Sequence, residues 1–272
     1  MSDPKLAFIG SGNMTRSIVG GLVAQGYPAS AISVSNRSPE KLRQMASDFG
    51  VQTGDNHSIA RTADVVILAV KPQGLKAVAE DLHPVLIHQP LVMSIAAGID
   101  CASLSRWLGE EHALVRCMPN TPSLVQAGAS GLYANGLASE AQHATAERIM
   151  SAVGRVYWLE DESLLDAVTA VSGSGPAYFF LVMEAMIDAG VALGLEPEMA
   201  KDLTLQTALG AAQLAGSSDV LPGELRRRVM SPGGTTEAAI QVFEDDNLRA
   251  IFKRAMIACA ERSKALAKEL GQ

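Results

Sequence analysis

The chain has 272 residues, a length typical of two domains and sufficient to bury a core without disulfide or metal support. The formal net charge is −7, and the one basic cluster, Arg226–Arg228, is short, which argues against nucleic-acid binding. The longest aliphatic runs, such as Val65–Val70, are far shorter than the roughly 18 residues of a membrane span. Asp3 lies where a signal peptide carries positive charge, and the cysteines indicate buried thiols in a reducing compartment. We therefore expect a cytoplasmic protein without membrane or nucleic-acid partners.

The first 160 residues alternate short β-branched runs with helical patterns. The predicted strands are Leu6–Ile9, Ile32–Val34, Val65–Val70, Leu91–Ile95, Leu114–Cys117, Gly131–Ala134 and Arg155–Leu159. The predicted helices between them are 14–25, 39–49, 74–82, 101–109 and 139–153. Continuous apolar strands separated by helices predict a parallel sheet covered on both faces.

After Glu160 only helical periodicity is found. The predicted helices are 163–172, 176–193, 197–215, 222–230, 235–244 and 246–270. The expected fold is α/β, with an N-terminal Rossmann-type doubly wound sheet followed by an all-α C-terminal domain. We predict the domain boundary between residues 162 and 163.

A glycine-rich turn follows the first strand and opens the first helix, with the sequence Gly10-Ser11-Gly12-Asn13-Met14-Thr15. The first glycine permits the tight turn, and the second lets a pyrophosphate approach the helix N-terminus. Thr15 lies where glycine or alanine is usual. An ordinary strand-to-helix turn is the alternative, but the strand-turn-helix context favours dinucleotide binding.

The end of the second strand indicates which dinucleotide is bound. An NAD site usually has a carboxylate there, whereas this chain has Asn36-Arg37-Ser38. Arg37 is suited to the 2′-phosphate of NADP, with Asn36 and Ser38 donating hydrogen bonds. The alternative is that Ser38 only caps a helix and Arg37 is a solvated loop charge.

Three further turns follow predicted strands. They are candidates to line the cofactor site, because ligands of doubly wound sheets bind beyond the carboxyl ends of the strands. They are Ala69–Pro72, Ala96–Gly98 and Met118–Pro122. The last of them is expected to face the nicotinamide. Lys71 has a solvated turn lysine as its alternative interpretation.

The C-terminal domain contains no histidine, since all five histidines precede residue 150, and none has a partner at metal-ligand spacing. It offers instead the polar segment Ser231–Glu237 ahead of a predicted helix. Free backbone N–H groups of Gly234, Thr235 and Thr236 would form an anion site suited to a small carboxylate. A capping loop is the alternative.

These residues resemble pyrroline-5-carboxylate reductase, the enzyme of the last step of proline biosynthesis. The matching segments are Ile9–Met14, Ala69–Pro72, Arg116–Pro122, Ser172–Tyr178 and Leu225–Glu244. Thr15 and Met230 depart from the family pattern. The resemblance implies reduction of 1-pyrroline-5-carboxylate to L-proline by NADPH, with NADH possible. It also implies a homodimer through the helical domain that assembles further into a decamer.

By the same resemblance, Thr236 hydrogen-bonds the imine nitrogen, while Ser231 and the N–H groups of Gly234, Thr235 and Thr236 hold the substrate carboxylate. Residues 1–162 then form the NADP-binding domain, and residues 163–272 the substrate-binding and dimerisation domain. The predicted cofactor-binding residues are Gly10, Ser11, Gly12, Asn13, Met14, Asn36, Arg37, Ser38, Asn56, Ala69, Val70, Lys71, Pro72, Ala96, Ala97, Met118 and Asn120.

Two alternatives remain at this point. A 3-hydroxyacid dehydrogenase or related imine reductase shares the plan of a sheet followed by helices. Those dehydrogenases place a lysine and, one turn later, an asparagine in the first long helix, whereas here Lys201 is followed by Leu205. A non-catalytic NADP-binding sensor would need neither the carboxylate-binding loop nor Thr236.

Overall fold

The computed structural model describes residues 3–271 and divides into two compact units. The first unit contains the chain up to Ser174 together with the segment from Ala258 onward, and the second is Gly175–Ile257. This division by compactness differs from the predicted boundary at residues 162 and 163. Residues 163–174, at the start of the helical region, and the end of the last helix are in the same unit as the sheet. The boundary along the chain therefore stays a prediction.

Within the described residues, the first unit holds one eight-stranded sheet. Its strands are β1 (Leu6–Ile9), β2 (Ile32–Ser35), β3 (Gln52–Thr53), β4 (Val65–Leu68), β5 (Leu91–Ser94), β6 (Leu114–Met118), β7 (Gly128–Ala134) and β8 (Gly154–Trp158). The spatial order is β3-β2-β1-β4-β5-β6-β7-β8. Neighbouring strands are parallel except β6 and β7, which are antiparallel. The strand order reverses between β1 and β4, which is the switch point where such sheets bind ligands.

Helices cover both faces of this sheet. They are α1 (Asn13–Ala24), α2 (Pro39–Phe49), α3 (Asn56–Ala60), α4 (Leu75–Leu82), α5 (Cys101–Leu108) and α6 (Glu140–Ser151). Side chains of β1 alternate between two cores: Phe8 packs with Ile18 of α1, and Ile9 packs with Leu75 of α4. Because both faces are covered, all four residues of β1 are buried, and the strand carries no polar residue.

The helical region comprises α7 (Leu164–Val168), α8 (Gly175–Ala192), α9 (Pro197–Gly216), α10 (Pro222–Arg228), α11 (Thr235–Asp245) and α12 (Leu248–Leu270). Residues Thr169–Gly173, called the π turn below, form a π-helical segment after α7. The end of α12 belongs to the first unit and is held there by side-chain hydrogen bonds. Ser263 Oγ donates to Asp166 Oδ1 at 2.6 Å, and Arg106 donates to the carbonyl of Gly271.

The second unit is built around the antiparallel pair α8 and α9. Small residues let the two helices approach closely, since a Cβ on Gly190 would lie 3.3 Å from the Cβ of Ala200. Large apolar side chains of this pair are nevertheless exposed, among them Phe179 at 67% and Leu209 at 52%. Contiguous exposed apolar patches are typical of interaction sites in proteins.

One helical stretch is long and apolar enough to cross a membrane by length and composition. It is Leu164–Ala192, with a mean hydropathy of 1.3, and most of its residues are not buried. Polar residues and glycines interrupt this stretch, so it contains no long uninterrupted aliphatic run. A single helix of this kind is weak support for a membrane span.

Four features differ from the expected pattern, the first being the π turn within the predicted helix 163–172. The sheet was predicted to be parallel, but β7 pairs antiparallel with β6. Only residues 119–127 separate the two strands, and a parallel crossover needs a dozen or more residues. Strand β3 and helix α3 were not predicted, because two and five residues are too few to show a period.

Candidate functional site

The glycine-rich turn after β1 leaves open space over the start of α1. Gly10 has a φ of +111°, and a Cβ on it would lie 2.6 Å from the carbonyl oxygen of Ala69. Gly12 is the N-cap of α1 with no side-chain cap and no acidic residue in the first turn. A Cβ on Gly12 would meet nothing within 4 Å. The positive end of α1 is therefore open to an anion.

Ser11 adds a hydroxyl without a hydrogen-bond partner among the described residues to this glycine-rich turn. The residue is 8% exposed, and its Oγ is buried without a hydrogen-bond partner among the described residues. A buried hydroxyl without a hydrogen-bond partner destabilises the fold unless a ligand supplies that partner. The turn thus offers backbone N–H groups and one hydroxyl to a phosphate.

Thr15, which departs from the family pattern, is accommodated by the same turn. The residue is fully buried, and its Oγ1 donates to the carbonyl of Gly10 at 2.8 Å. The hydroxyl is thus satisfied inside the helix–strand contact. Thr15 therefore stabilises the conformation of Gly10.

The end of β2 presents polar groups beside this turn. Ser35 Oγ donates to Asn56 Oδ1 at 2.7 Å, which brings α3 to the end of β2. Asn36 Oδ1 accepts the Ser38 N–H at 2.8 Å. Ser38 caps α2, as the alternative interpretation predicted. Arg37 is exposed and has no ion-pair partner within residues 3–271, so its guanidinium is available to a phosphate.

The other predicted cofactor residues lie at the carboxyl ends of β4 and β5. Ala69 follows β4 directly, and its N–H donates to Ile9 at 2.9 Å. Lys71 is exposed and precedes a short 3₁₀ turn. Ala96 is buried and Ala97 exposed in the turn after β5. These turns and the glycine turn share one edge of the sheet, because β1, β4 and β5 are parallel neighbours.

The turn after β6 is held by hydrogen bonds of Asn120. Its Oδ1 accepts the Ala129 N–H at 2.9 Å, and its Nδ2 donates to the Ser172 carbonyl at 3.1 Å. The side chain of Met118 lies against Gly173, where an added Cβ would come within 2.6 Å of the methionine Cε. The backbone therefore holds Asn120, which was predicted to bind the cofactor.

The polar loop of the second unit begins α11. Gly234 is its N-cap and lacks a side-chain cap. The prediction of a free Gly234 N–H was wrong, because this group donates to the Ser231 carbonyl at 2.9 Å. The Glu237 carboxylate accepts the Gly233 N–H at 2.6 Å, a contact that sequence reasoning missed. Thr235 and Thr236, the first residues of α11, supply the remaining N–H groups.

Ion pairs in the second unit engage the basic cluster noted in the sequence. Arg226 pairs with Glu244 at 3.2 Å, and Glu224 pairs with Arg227 at 2.8 Å and Arg228 at 3.2 Å. Hydrogen bonds from the two arginines lower the pKa of the Glu224 carboxyl. Glu244 also pairs with Arg249 at 2.7 Å, so two carboxylates engage four arginines and offset only part of their charge.

The thiols of Cys101 and Cys117 show no sign of nucleophilic activation. Burial raises the pKa of the Cys101 and Cys117 thiols, which keeps both protonated at neutral pH. Cys259 is only half-buried and lies 3.2 Å from Ser174 Oγ. The prediction of three buried thiols was therefore wrong for Cys259.

A partly buried ion pair on β6 was also not predicted from the sequence. Arg116 of β6 donates to Glu162 at 2.7 Å, and the same carboxylate oxygen accepts the Cys101 N–H at 2.7 Å. An arginine inside an otherwise apolar strand was the available signal. The pair fixes the segment before α7 to β6 and α5.

Known proteins match this chain over its whole length. The pyrroline-5-carboxylate reductase of Pseudomonas aeruginosa is 56% identical over 273 residues, which cover 100% of both chains. The chain belongs to the pyrroline-5-carboxylate reductase family. The predicted family is thereby confirmed.

Family models match both parts of this reductase-family chain. The model described as pyrroline-5-carboxylate reductase dimerisation matches residues 162–266. The model described as NADP oxidoreductase, coenzyme F420-dependent, matches residues 5–98. The dimerisation match supports an oligomer.

Solved structures of reductases in this family share the fold. The enzyme of Coxiella burnetii has a TM-score of 0.94 at 48% identity, covering 97% of this chain and 99% of the other. The Plasmodium falciparum enzyme, solved with NADP bound, has a TM-score of 0.87 at 30% identity, covering 98% and 99%. The predicted fold class is confirmed.

Proposed function

We propose that this chain is an NADPH-dependent oxidoreductase that reduces the C=N bond of 1-pyrroline-5-carboxylate and yields L-proline. The observation that carries the proposal is the open N-terminus of α1 over Gly12 in a chain that belongs to this reductase family. We also propose that the enzyme acts in the cytoplasm on a small-molecule substrate.

The residues present fit NADP. The unpartnered Ser11 hydroxyl and the open space at Gly12 suit the pyrophosphate. Asn36, Arg37 and Ser38 suit the 2′-phosphate, because β2 ends without a carboxylate and Arg37 is unpaired among the described residues. Asn56 is held beside them by Ser35.

The remaining predicted cofactor residues follow the carboxyl ends of neighbouring strands. Asn13 and Met14 begin α1, Ala69–Pro72 follows β4, and Ala96 and Ala97 follow β5. Met118 ends β6 and is proposed to flank the nicotinamide. When bound, reduced NADP supplies the hydride.

The loop before α11 is proposed to hold the substrate carboxylate. The N–H groups of Thr235 and Thr236 lie at the positive end of the helix, where an anion is stabilised. Ser231 is exposed and available to the same carboxylate, whereas the Gly234 N–H is engaged in the turn. Gly234 serves by shaping the loop.

Thr236 is proposed to hydrogen-bond the imine nitrogen. The cyclic imine is basic enough to arrive protonated from water, and the hydride adds to its C=N carbon. The π electrons of that bond become the lone pair of the amine nitrogen. One imine, one NADPH and one proton thus give one proline and one NADP⁺, and no histidine is required.

The hydroxy-acid dehydrogenase alternative loses support from the surroundings of Lys201. Its ammonium pairs with Glu198 at 3.1 Å on the exposed surface of α9, and the residue one turn later is Leu205. A catalytic lysine of that class needs an asparagine in that position.

We propose a homodimer through the helical domain, assembling into a decamer as family resemblance implies. The exposed apolar side chains of α8 and α9, such as Phe179 and Leu209, supply the surface. The same surface accounts for the apolar stretch Leu164–Ala192 without a membrane. Sedimentation of the purified chain tests this assembly, and a monomer at all concentrations would contradict it.

The activity is tested by following NADPH absorbance with 1-pyrroline-5-carboxylate, beside NADH and beside a 3-hydroxy acid with NADP⁺. Rapid NADPH loss with the imine alone is expected. Activity only on the hydroxy acid would support the dehydrogenase. Bound NADPH without turnover in any arm would support a sensor.

A further inference from the structure

Both the oxygen and the nitrogen of the Asn120 carboxamide form hydrogen bonds with the backbone. The residue is 8% exposed. Its Oδ1 accepts from Ala129 of β7 at 2.9 Å, and its Nδ2 donates to Ser172 of the π turn at 3.1 Å. Because the donor and the acceptor are engaged on two different segments, the side chain joins those segments.

The Ser172 carbonyl needs an outside donor for a reason visible in the sequence. In an α-helix it would accept the N–H of the residue four positions later, but that residue is Pro176, which has none. The chain widens here instead, and Ser174 N–H donates five residues back to Thr169 at 2.8 Å. Asn120 supplies the donor that the proline lacks.

The position of the π turn is coupled to that of Met118. Gly173 lies so close to the Met118 side chain that an added Cβ would come within 2.6 Å of its Cε. A displacement of the π turn would therefore displace the thioether. Interiors packed this closely transmit such shifts.

We infer that Asn120 is a positioning residue: its carboxamide fixes the π turn against the end of β6 and thereby sets the position of Met118. This inference rests on the proposed function, in which Met118 flanks the nicotinamide. It replaces the expectation that Asn120 contacts the cofactor.

The test compares Asn120→Asp with the matched control Asn135→Asp. Asn135 also joins two backbone groups, donating to His112 at 3.0 Å and accepting from Leu114 at 3.0 Å, but at the opposite end of β6. Each substitution keeps the size of the side chain and removes its donor. Both should lower the urea midpoint of unfolding.

Only Asn120→Asp should lower kcat, by about 10-fold, the rate factor that corresponds to the net free energy of one hydrogen bond. The Kd for NADP⁺ should stay within about twofold, since the phosphate contacts are intact. The kinetic isotope effect with NADPH deuterated at the transferred position should rise. Adding Pro176→Ala restores a backbone N–H and should recover about 3-fold or more of kcat.

A loss of NADP⁺ affinity parallel to kcat would overturn the inference and make Asn120 a cofactor ligand. Equal kcat in the two Asp variants would also overturn it, as would no recovery on adding Pro176→Ala. If the unaltered protein does not oxidise NADPH with the imine, the proposed function fails separately. The urea comparison with and without Pro176→Ala still tests the hydrogen bond in that case.

Discussion

Gly10 and Gly12 lie two residues apart in one turn, yet alanine at each position should change a different property. We expect Gly10→Ala to lower the free energy of unfolding and Gly12→Ala to lower the affinity for NADPH. Gly12 has a φ of −76° and a ψ of −179°, which alanine adopts readily, and its added Cβ would meet no atom within 4 Å. The loss of N-cap preference should cost at most about 1 kcal/mol. The fold of Gly12→Ala should therefore be nearly unchanged.

The same methyl group would occupy the space proposed for the pyrophosphate. It would weaken one or two charge-assisted hydrogen bonds, each contributing about 1.5–3 kcal/mol. Loss of one such bond should raise the Kd for NADPH about 10- to 150-fold, and loss of two should raise it further. Quenching of intrinsic fluorescence on NADPH titration measures this change directly.

Gly10→Ala is the matched comparison. Its φ of +111° disfavours alanine by about 1–2 kcal/mol, and its Cβ would lie 2.6 Å from the Ala69 carbonyl oxygen. With the strain of that overlap, we expect a loss of about 2–4 kcal/mol in the free energy of unfolding. Unchanged NADPH affinity in a folded Gly12→Ala protein would refute the assignment of the glycine-rich turn to the pyrophosphate.

Three other substitutions test separate parts of the account. Thr236→Ala should lower turnover by about 10²-fold while NADPH affinity is kept, and unchanged turnover would leave Thr236 a capping residue. Arg37→Ala should narrow the preference for NADPH over NADH by about 1–3 kcal/mol, measured as the ratio of kcat/KM values. An unmoved ratio would make Arg37 a loop charge. Thr15→Val removes the donor to the Gly10 carbonyl and should lower the free energy of unfolding by about 1–3 kcal/mol. A urea titration that shows no loss would contradict the stabilising role of Thr15.

Much of the sheet could be predicted because its strands are buried on both faces. Strand β1 has four buried apolar residues and matches the predicted bounds Leu6–Ile9. Helix α2 likewise begins at Pro39 after the Ser38 cap and ends at Phe49 before a left-handed Gly50. A continuous apolar run in β1, and a helical period with clear caps in α2, make these elements recognisable in the sequence.

Parts of the candidate site could not be predicted because they depend on tertiary contacts. Periodicity predicted a regular helix over 163–172, but the chain opens into the π turn from Thr169. The partner of the Ser172 carbonyl comes from Asn120, 52 residues earlier. The Gly234 N–H donates to the Ser231 carbonyl in a local turn, so it is not free to bind a ligand. The sequence does not specify this hydrogen bond.

The central claim is tested most directly by measuring L-proline formed against NADPH consumed, with purified protein and 1-pyrroline-5-carboxylate. The account predicts one L-proline for each NADPH, and a sharply lower rate in Thr236→Ala. NADPH consumption without proline, or proline formation that does not require NADPH, would contradict it.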